Sequence, residues 1–277
     1  MKVTDEMIQE LKVKANNIRK SILEEVYSAA SGHPGGSLSA ADILTVLYFN
    51  QMNIDPQDPK NENRDRFVLS KGHASPVLYA TLAERGYFSK DKLKEFRKLG
   101  SMLQGHPDMK GVPGVDMSTG SLGQGLSAAN GMALASKLDS KGYRVYALLG
   151  DGEIEEGQVW EAAMTASHYN LDNLCVIVDN NNLQIDGTVR DVMNVYPIDE
   201  KFRSFGFEVY NVDGNNIDEL ITIFEKAKTI KGKPTAIIAK TVKGKGVSFM
   251  ENQVGWHGKA PKEEEYNKAK EELEANF

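Results

Sequence analysis

The chain has 277 residues, 40% of them hydrophobic and 26% charged, which is ordinary for a globular protein with a large buried core. Its formal net charge of −6 argues against a nucleic-acid-binding function, because surfaces that bind phosphate backbones are basic. The single cysteine, Cys175, lies in an apolar run and excludes both a disulfide framework and a cysteine-rich metal site.

The first predicted element is a long amphipathic helix over residues 4–30, in which apolar residues recur every three or four positions. Its charged start lacks an apolar segment, so we expect no signal peptide. Gly32 and Pro34 end this helix, and a second helix is predicted over residues 39–49. No stretch approaches 18 consecutive apolar residues, so we expect no membrane partner and a cytoplasmic protein.

Short apolar runs then alternate with helical patterns. Strands are predicted over residues 66–70, 145–149, 174–179, 207–212 and 235–241. Helices are predicted over residues 123–138, 155–169 and 217–228. This alternation predicts an α/β fold, with a mostly parallel central sheet and helices on both faces. We expect one domain over residues 1–277, with its core at about 10–262 and a charged helix or tail over 262–277.

Four of the five histidines lie beside glycine in short loop-like motifs. They are His33, His73, His106 and His257. Glycine allows a ligand or backbone to approach closely, and histidine exchanges protons near neutral pH. These four are therefore candidate catalytic residues. His168 has no glycine neighbour and is interpreted as structural.

A metal motif is spread over the ends of two predicted strands. Asp151 lies in Gly-Asp-Gly directly after one strand, and Asn181 follows the next strand along the chain. Mg²⁺ prefers oxygen ligands, which Asp151, Asn181 and the carbonyl of Leu183 can supply. Turns rich in Asp, Asn and Gly are common, so each half of the motif alone is weak evidence for a metal site. The placement of both halves at strand ends favours the metal interpretation.

Two further features carry less weight on their own. A glycine-rich segment over residues 118–125 precedes a helix of small residues and can hold a phosphate at the helix N-terminus. Five lysines cluster in the sequence, and we interpret most of them as a solvated strand edge and loop; they are Lys231, Lys233, Lys240, Lys243 and Lys245.

Taken in order, these motifs resemble the N-terminal, pyrophosphate-binding half of transketolases over residues 10–262. The matching segments are Ser-Gly-His-Pro-Gly at 31–35, residues 65–73, Thr-Gly-Ser-Leu-Gly-Gln-Gly at 119–125, and Gly-Asp-Gly followed by Asn-Asn. The last of these marks thiamine diphosphate enzymes in general. The motifs around His33, His73 and His106 narrow the resemblance to transketolases.

The resemblance implies that thiamine diphosphate is bound through Mg²⁺, for which Ca²⁺ or Mn²⁺ can substitute. The implied metal ligands are Asp151, Asn181 and the Leu183 carbonyl. The implied cofactor contacts are His73, Gly120, Ser121, Leu122, Gly152, Glu156, Asn181 and His257. His33 and His257 would line the substrate channel, and His106 would bind a hydroxyl of the donor sugar. Glu156 matches a glutamate at the family's subunit interface.

The chain departs from the family pattern at two positions. Val254 replaces an earlier histidine found in many members, and Ser121 stands where proline is frequent. The glutamate that activates the cofactor, and the pyrimidine pocket, lie in the family's second domain. The resemblance therefore implies a C-terminal, pyrimidine-binding partner subunit, in an assembly of two copies of each chain.

The implied reaction transfers a two-carbon ketol unit from a ketose phosphate to an aldose phosphate. The same chemistry on an unusual sugar, of the apulose 4-phosphate or sulfo-deoxyfructose type, stays open. A second alternative is another thiamine diphosphate enzyme, such as a 2-oxoacid dehydrogenase subunit or a deoxyxylulose phosphate synthase. The motif around His33, together with His257, argues against it. A third alternative is a subunit that has lost activity, although every motif residue expected in this half is present.

Overall fold

The structure, a computed structural model, describes residues 3–275 and contains one five-stranded sheet. Its strands are β1 (Arg66–Leu69), β2 (Val145–Gly150), β3 (Leu174–Asn180), β4 (Glu208–Asp213) and β5 (Thr235–Lys240). All neighbours pair in parallel, in the order β1-β2-β3-β5-β4. The predicted α/β fold with a parallel sheet is confirmed, and each predicted strand lies within one or two residues of its observed position.

Helices surround this sheet. In the described part of the chain they are α1 (Asp5–Ser28), α2 (Pro34–Ser39), α3 (Ala41–Val46), α4 (Ser75–Arg85), α5 (Gln124–Leu138), α6 (Gly157–His168), α7 (Val189–Val192), α8 (Ile198–Ser204), α9 (Ile217–Thr229) and α10 (Glu263–Ala275). None of the helices in residues 3–275 is long and apolar enough to cross a membrane. The tail predicted over 262–277 is helical as far as Ala275, and residues 276 and 277 lie outside the described part.

The second predicted helix has different bounds in the structure, and several observed helices were not predicted. The helix predicted over residues 39–49 starts at Pro34, is interrupted at Ala40 and ends in a π-turn, Leu47–Gln51. Pro34 occupies the first position of α2, where its missing N–H costs nothing, so it starts this helix, whereas α1 already ends at Ser28. The helix α4, which was not predicted, likewise has a proline, Pro76, in its first turn.

The two faces of the sheet carry separate hydrophobic clusters. Crossovers between parallel strands are right-handed, and the step from β4 back to β5 runs opposite to the earlier steps along the sheet. As a result α9 packs with α1, α3 and α4 on one face, while α5, α6 and α8 cover the other. The carboxyl ends of all five strands point to one edge, where ligands bind in such sheets.

A buried carboxyl in α1 stands apart from this apolar packing. Glu25 is fully buried, and neither of its carboxyl oxygens has a hydrogen-bond partner among the described residues. Burial, with a smaller effect from Glu24, raises the pKa of Glu25 well above its usual value. The folded chain therefore favours the protonated carboxyl, which costs less to bury than the ionised one.

Replacing Glu25 with methionine is expected to stabilise the chain at alkaline pH. Because the folded pKa is raised, stability is fully present below the unfolded pKa and falls as the pH rises above it. Glu25→Met should remove this decline and raise the free energy of unfolding at pH 8 by about 1–3 kcal/mol, the cost of an unsatisfied buried polar group. Urea denaturation from pH 5 to 9 measures this, with the exposed Glu10→Met as control. Equal stabilities of the Glu25→Met and unmodified chains at pH 8 would contradict it.

Candidate functional site

A buried ion pair joins the carboxyl ends of three strands. Lys71 follows β1, and its Nζ donates to Asp179 at the end of β3 and to the Gly36 carbonyl at 2.7 Å. Asp179 also accepts the hydroxyls of Ser39, at 2.6 Å, and of Thr241. Burial acts to raise the pKa of Asp179, but Lys71 and the hydroxyl donors outweigh it and hold that pKa below its usual value. The carboxylate is therefore ionised and fully compensated.

The predicted metal motif lies beside this network. Asp151 follows β2, and its carboxylate accepts the backbone N–H groups of Gly152, at 3.0 Å, and of Asn182. Burial and the neighbouring Asp179 raise the pKa of Asp151 to about 7. The two halves of the motif, which follow β2 and β3, are thus in direct contact.

Asn181 and Leu183 supply the other two predicted ligands. Asn181 Oδ1 accepts the N–H of Leu183 at 3.1 Å, and the Leu183 carbonyl accepts the Nζ of Lys243 at 3.0 Å. Within residues 3–275 no three His, Cys, Asp or Glu side chains are grouped to hold a metal. A cation here would depend on one carboxylate, an amide, a carbonyl, and oxygens from phosphate and water. That donor set suits Mg²⁺.

Three of the glycine-flanked histidines face one another in the same place. Their ring centroids are 5.2 Å apart for His33 and His73, 5.3 Å for His73 and His257, and 5.5 Å for His33 and His257. Burial, assisted by nearby cations, lowers the pKa of His33 to about 4 and of His257 to about 3. Burial also lowers the pKa of His73 well below its usual value. All three rings are therefore neutral at pH 7.

Lys243 is an exception within the lysine cluster, most of which was predicted to be solvated. Its side chain is 1% exposed, so it does not belong to a solvated edge. Its Nζ lies 2.8 Å from His257 Nδ1 and 3.0 Å from the Leu183 carbonyl. Burial and the charge of Lys71 lower the pKa of Lys243 to about 8. A buried ammonium whose hydrogen-bond partners are neutral favours an anionic ligand.

Glu153 fixes the glycine-rich turn against the strand ends. Its carboxylate accepts the hydroxyl of Ser70 and the N–H groups of Gly123 and Gly150, both at 3.0 Å. The turn therefore has a set position in front of α5. The resemblance implied that Glu153, like Glu155 and Glu156, matches an interface position, and the structure buries its carboxylate against the turn.

These groups surround one cavity of about 350 Å³ at the carboxyl edge of the sheet. Its polar walls include both buried lysines, whereas Ile185 and Leu122 contribute apolar surface. The predicted site residues that line it are His33, His73, Gly120, Leu122, Asp151, Gly152, Glu156, Asn181, Leu183 and His257.

His106 and Ser121 are not among the residues that line the cavity, and both are exposed. His106 lies behind Gly120, where a Cβ would approach its Cδ2 to 2.9 Å. Gly120 has a φ of +147°, so glycine is needed both for its conformation and for this contact. His168 is exposed at the end of α6, away from the cavity lining. The roles assigned to these residues stay predictions.

A family comparison shows which proteins share these features. Residues 10–276 match the family model described as transketolase, thiamine diphosphate binding domain. The chain belongs to the transketolase family. It is the thiamine diphosphate-binding part of a transketolase, which is a transferase, and the predicted resemblance is confirmed.

Some relatives match over nearly their whole length, among them two transketolase subunits. The 6-deoxy-6-sulfo-D-fructose transketolase subunit of Clostridium sp. (strain MSTE9) is 47% identical over 265 residues, which is 96% of each chain. An apulose-4-phosphate transketolase subunit of Phocaeicola vulgatus is 42% identical over 266 residues, or 96% of this chain and 94% of the relative. Both relatives are named as subunits, so this transketolase chain has the extent of a transketolase subunit.

A solved structure shows the same fold in a longer chain. Transketolase from Campylobacter jejuni superimposes with a TM-score of 0.90 at 37% identity, covering 99% of this chain and 43% of that one. The transketolase chain described here thus spans less than half the length of that structure.

Replacing Lys71 with methionine is expected to destabilise the transketolase chain strongly. The substitution leaves Asp179 buried without its cation, which costs about 3–5 kcal/mol for a broken buried pair. Removing both charges, in Lys71→Met with Asp179→Leu, should recover part of that loss. Guanidinium denaturation of both variants tests this, and a single variant as stable as the unmodified chain would show that the pair is not a structural constraint.

Proposed function

We propose that this chain forms one cofactor-binding domain of a two-component transketolase. In this proposal it binds thiamine diphosphate through Mg²⁺ and acts with a C-terminal, pyrimidine-binding subunit, in an assembly of two copies of each chain. The reaction transfers a two-carbon ketol unit from a ketose phosphate to an aldose phosphate, in the cytoplasm and within the pentose phosphate pathway. The observation that carries the proposal is the meeting of three neutral histidines, a buried ammonium and the Asp151 motif in one cavity.

The residues of the cavity fit the proposed cofactor. Lys243 offers a buried positive charge with neutral partners, which suits a diphosphate. Gly120 and Gly152 leave backbone without side chains on the cavity wall. Asp151, Asn181 and the Leu183 carbonyl would hold the Mg²⁺. When bound, thiamine diphosphate supplies a carbon nucleophile that attacks the carbonyl of the ketose.

The chain's own contribution to the reaction is positioning and proton transfer. His33 and His257 are neutral at pH 7, so each ring can donate a proton from one nitrogen and accept one at the other. Such groups can hold substrate hydroxyls and stabilise developing alkoxide charge in a site that excludes water. In the proposal both act on substrate, and His73 contacts the cofactor. His106, which packs behind Gly120 of the cavity wall, binds a donor hydroxyl.

The exposed face of α5 and α6 supports a partner subunit. Large apolar side chains are exposed at Leu138, which is 76% exposed, and at Met164 and Tyr169. Glu156, predicted at an interface, is exposed at the start of α6 and lines the cavity. A carboxylate that activates the cofactor would come from the partner across this side.

The sugar substrate is open to a second candidate. Two of the relatives that match over nearly their full length are named for 6-deoxy-6-sulfo-D-fructose and for apulose-4-phosphate, not for the ordinary pentulose. Their identities of 47% and 42% make the same chemistry on one of these sugars the alternative to test.

The function is tested by ketol transfer from xylulose 5-phosphate to ribose 5-phosphate, with thiamine diphosphate and Mg²⁺. The chain should be inactive alone and active when mixed with a C-terminal transketolase subunit encoded beside it. Activity of the chain alone would overturn the two-component proposal. A mixture that binds the cofactor but transfers only from the sulfo-sugar or apulose 4-phosphate would establish the second candidate.

Replacing His33 or His257 with alanine is expected to lower turnover of the assembled enzyme by about 10²–10⁴-fold, the usual contribution of a proton-transferring group. His257 also touches Lys243, so His257→Ala should weaken thiamine diphosphate binding more than His33→Ala does. Steady-state kinetics and cofactor titration of both variants measure the difference. Equal loss of cofactor affinity in the two would contradict the assignment, and the exposed His168→Ala serves as control.

Replacing Asp151 with asparagine is expected to remove the Mg²⁺ dependence of thiamine diphosphate binding. The variant loses the one carboxylate of the ligand set, so cofactor affinity in the presence of Mg²⁺ should fall roughly tenfold or more. Calorimetric titration with and without Mg²⁺ measures this. The nearby exposed Asp186→Asn should bind as the unmodified chain does. Unchanged Mg²⁺-dependent binding in Asp151→Asn would rule out this metal site.

A further inference from the structure

The guanidinium of Arg97 lies between two loops that carry candidate catalytic histidines. Its Nη1 donates to the hydroxyl of Ser31, two residues before His33, at 2.7 Å. On its other side it packs flat against Gly105, where a Cβ would come within 2.9–3.1 Å of its Nε, Nη2 and Cζ atoms. Gly105 directly precedes His106. One side chain therefore contacts both histidine loops.

The backbone at Arg97 is held in an unusual conformation. Its φ is +59°, in the left-handed region that L-residues with a side chain seldom adopt. The Arg97 N–H donates to the Leu103 carbonyl at 2.8 Å, which ties the residue to the segment leading into the His106 loop. Such strain persists only where the surroundings enforce it, and it is concentrated at functional sites.

The other hydrogen bonds that the two loops form within residues 3–275 do not join them to each other. The hydroxyl of Ser37 holds the His33 carbonyl at 2.7 Å, within the first loop and α2. The hydroxyl of Ser75 holds the Gly105 carbonyl at 2.9 Å, from α4. Arg97 is thus a direct link between the loops that carry His33 and His106.

The guanidinium also retains unused hydrogen-bonding capacity. Arg97 Nε and His33 Nδ1 are both buried and have no hydrogen-bond partner among the described residues. The guanidinium is planar and loses little conformational freedom when it forms several contacts, so arginine suits a position that joins two loops. Lysine has a single compact ammonium group and cannot replace it there.

We infer that Arg97 is a positioning residue for ketol transfer, which sets the spacing of His33 and His106 across the substrate channel. This inference rests on the proposed function. Arg97 touches neither the cofactor motif nor the predicted metal ligands, so its effect is on the geometry of substrate hydroxyl contacts. A misplacement of about 1 Å at such contacts can cost roughly 100-fold in rate.

The charge of Arg97 gives the inference a second readout. Burial lowers the pKa of His33, and the charge of Arg97, followed by smaller effects of the His106 ring and the Lys243 ammonium, lowers it further. Burial and Arg97 lower the pKa of His106. The His73 and His257 rings also face His33, and they are neutral. Removing the charge at 97 should raise the pKa of both His33 and His106.

The test compares Arg97→Met, Arg97→Lys and the neighbouring exposed Lys98→Met in the assembled enzyme. Arg97→Met should lower kcat/KM by about 10–100-fold, move the acidic limb of the pH–rate profile to higher pH, and change cofactor affinity less than twofold. Arg97→Lys keeps the charge and loses the fork, so it should lower kcat/KM while keeping the acidic limb in place. Lys98→Met should match the unmodified enzyme in both respects.

An unchanged kcat/KM in Arg97→Met, or a loss of cofactor affinity as large as the loss of kcat/KM, would overturn the inference. If the unmodified assembly shows no ketol transfer, the proposed function fails, and Arg97 is then judged by histidine NMR titration of the full chain. A raised pKa of His33 and His106 in Arg97→Met, but not in Lys98→Met, would support the link between the loops. No change in either pKa would overturn it.

Discussion

The site depends on the buried pair of Lys71 and Asp179. This pair, with the Thr241 hydroxyl, fixes the ends of β1, β3 and β5 against one another. The cavity is lined by His73, Asn181 and Lys243, which lie two residues after Lys71, Asp179 and Thr241, respectively. The residues that precede them are bonded to one another, so these three side chains converge in one cavity. They do so although His73 lies more than 100 residues before Asn181 and Lys243 along the chain.

Burial sets the charge states of the groups at this edge. Lys71 is paired with Asp179, whereas the Lys243 ammonium lies beside neutral imidazoles in a lining that also contains Asp151 and Glu153. Low polarity around Lys243 and His257 disfavours a second positive charge, so the histidines stay neutral while the ammonium holds its proton below about pH 8. The same burial therefore separates two roles, with the lysine suited to bind an anion and the histidines suited to move protons.

Much of this could be predicted from the sequence, because strand ends and glycine-flanked motifs are local patterns. The convergence of His73 and Asp151 follows from the parallel sheet that the apolar runs predict, whereas His33 and His257 follow no strand end and were found only by their glycine-flanked motifs. Lys243 could not be found this way, since nothing local separates a lysine after a strand that faces solvent from one that faces a cavity. The helix α4 was missed because a Ser-Pro pair predicts a turn as readily as a helix start. The packing of His106 behind Gly120 depends on contacts between distant segments, which no local pattern encodes.

The bond between the Asp151 carboxylate and the N–H of Asn182 has a consequence for how a ligand enters. It closes the loop after β3 onto the loop after β2 as part of folding. The entropy of ordering these loops is therefore lost when the chain folds and not when a ligand arrives. A pocket that is already ordered loses less conformational entropy when a ligand binds, so more of the contact energy contributes to affinity. Ligand binding also needs no slow rearrangement of this segment.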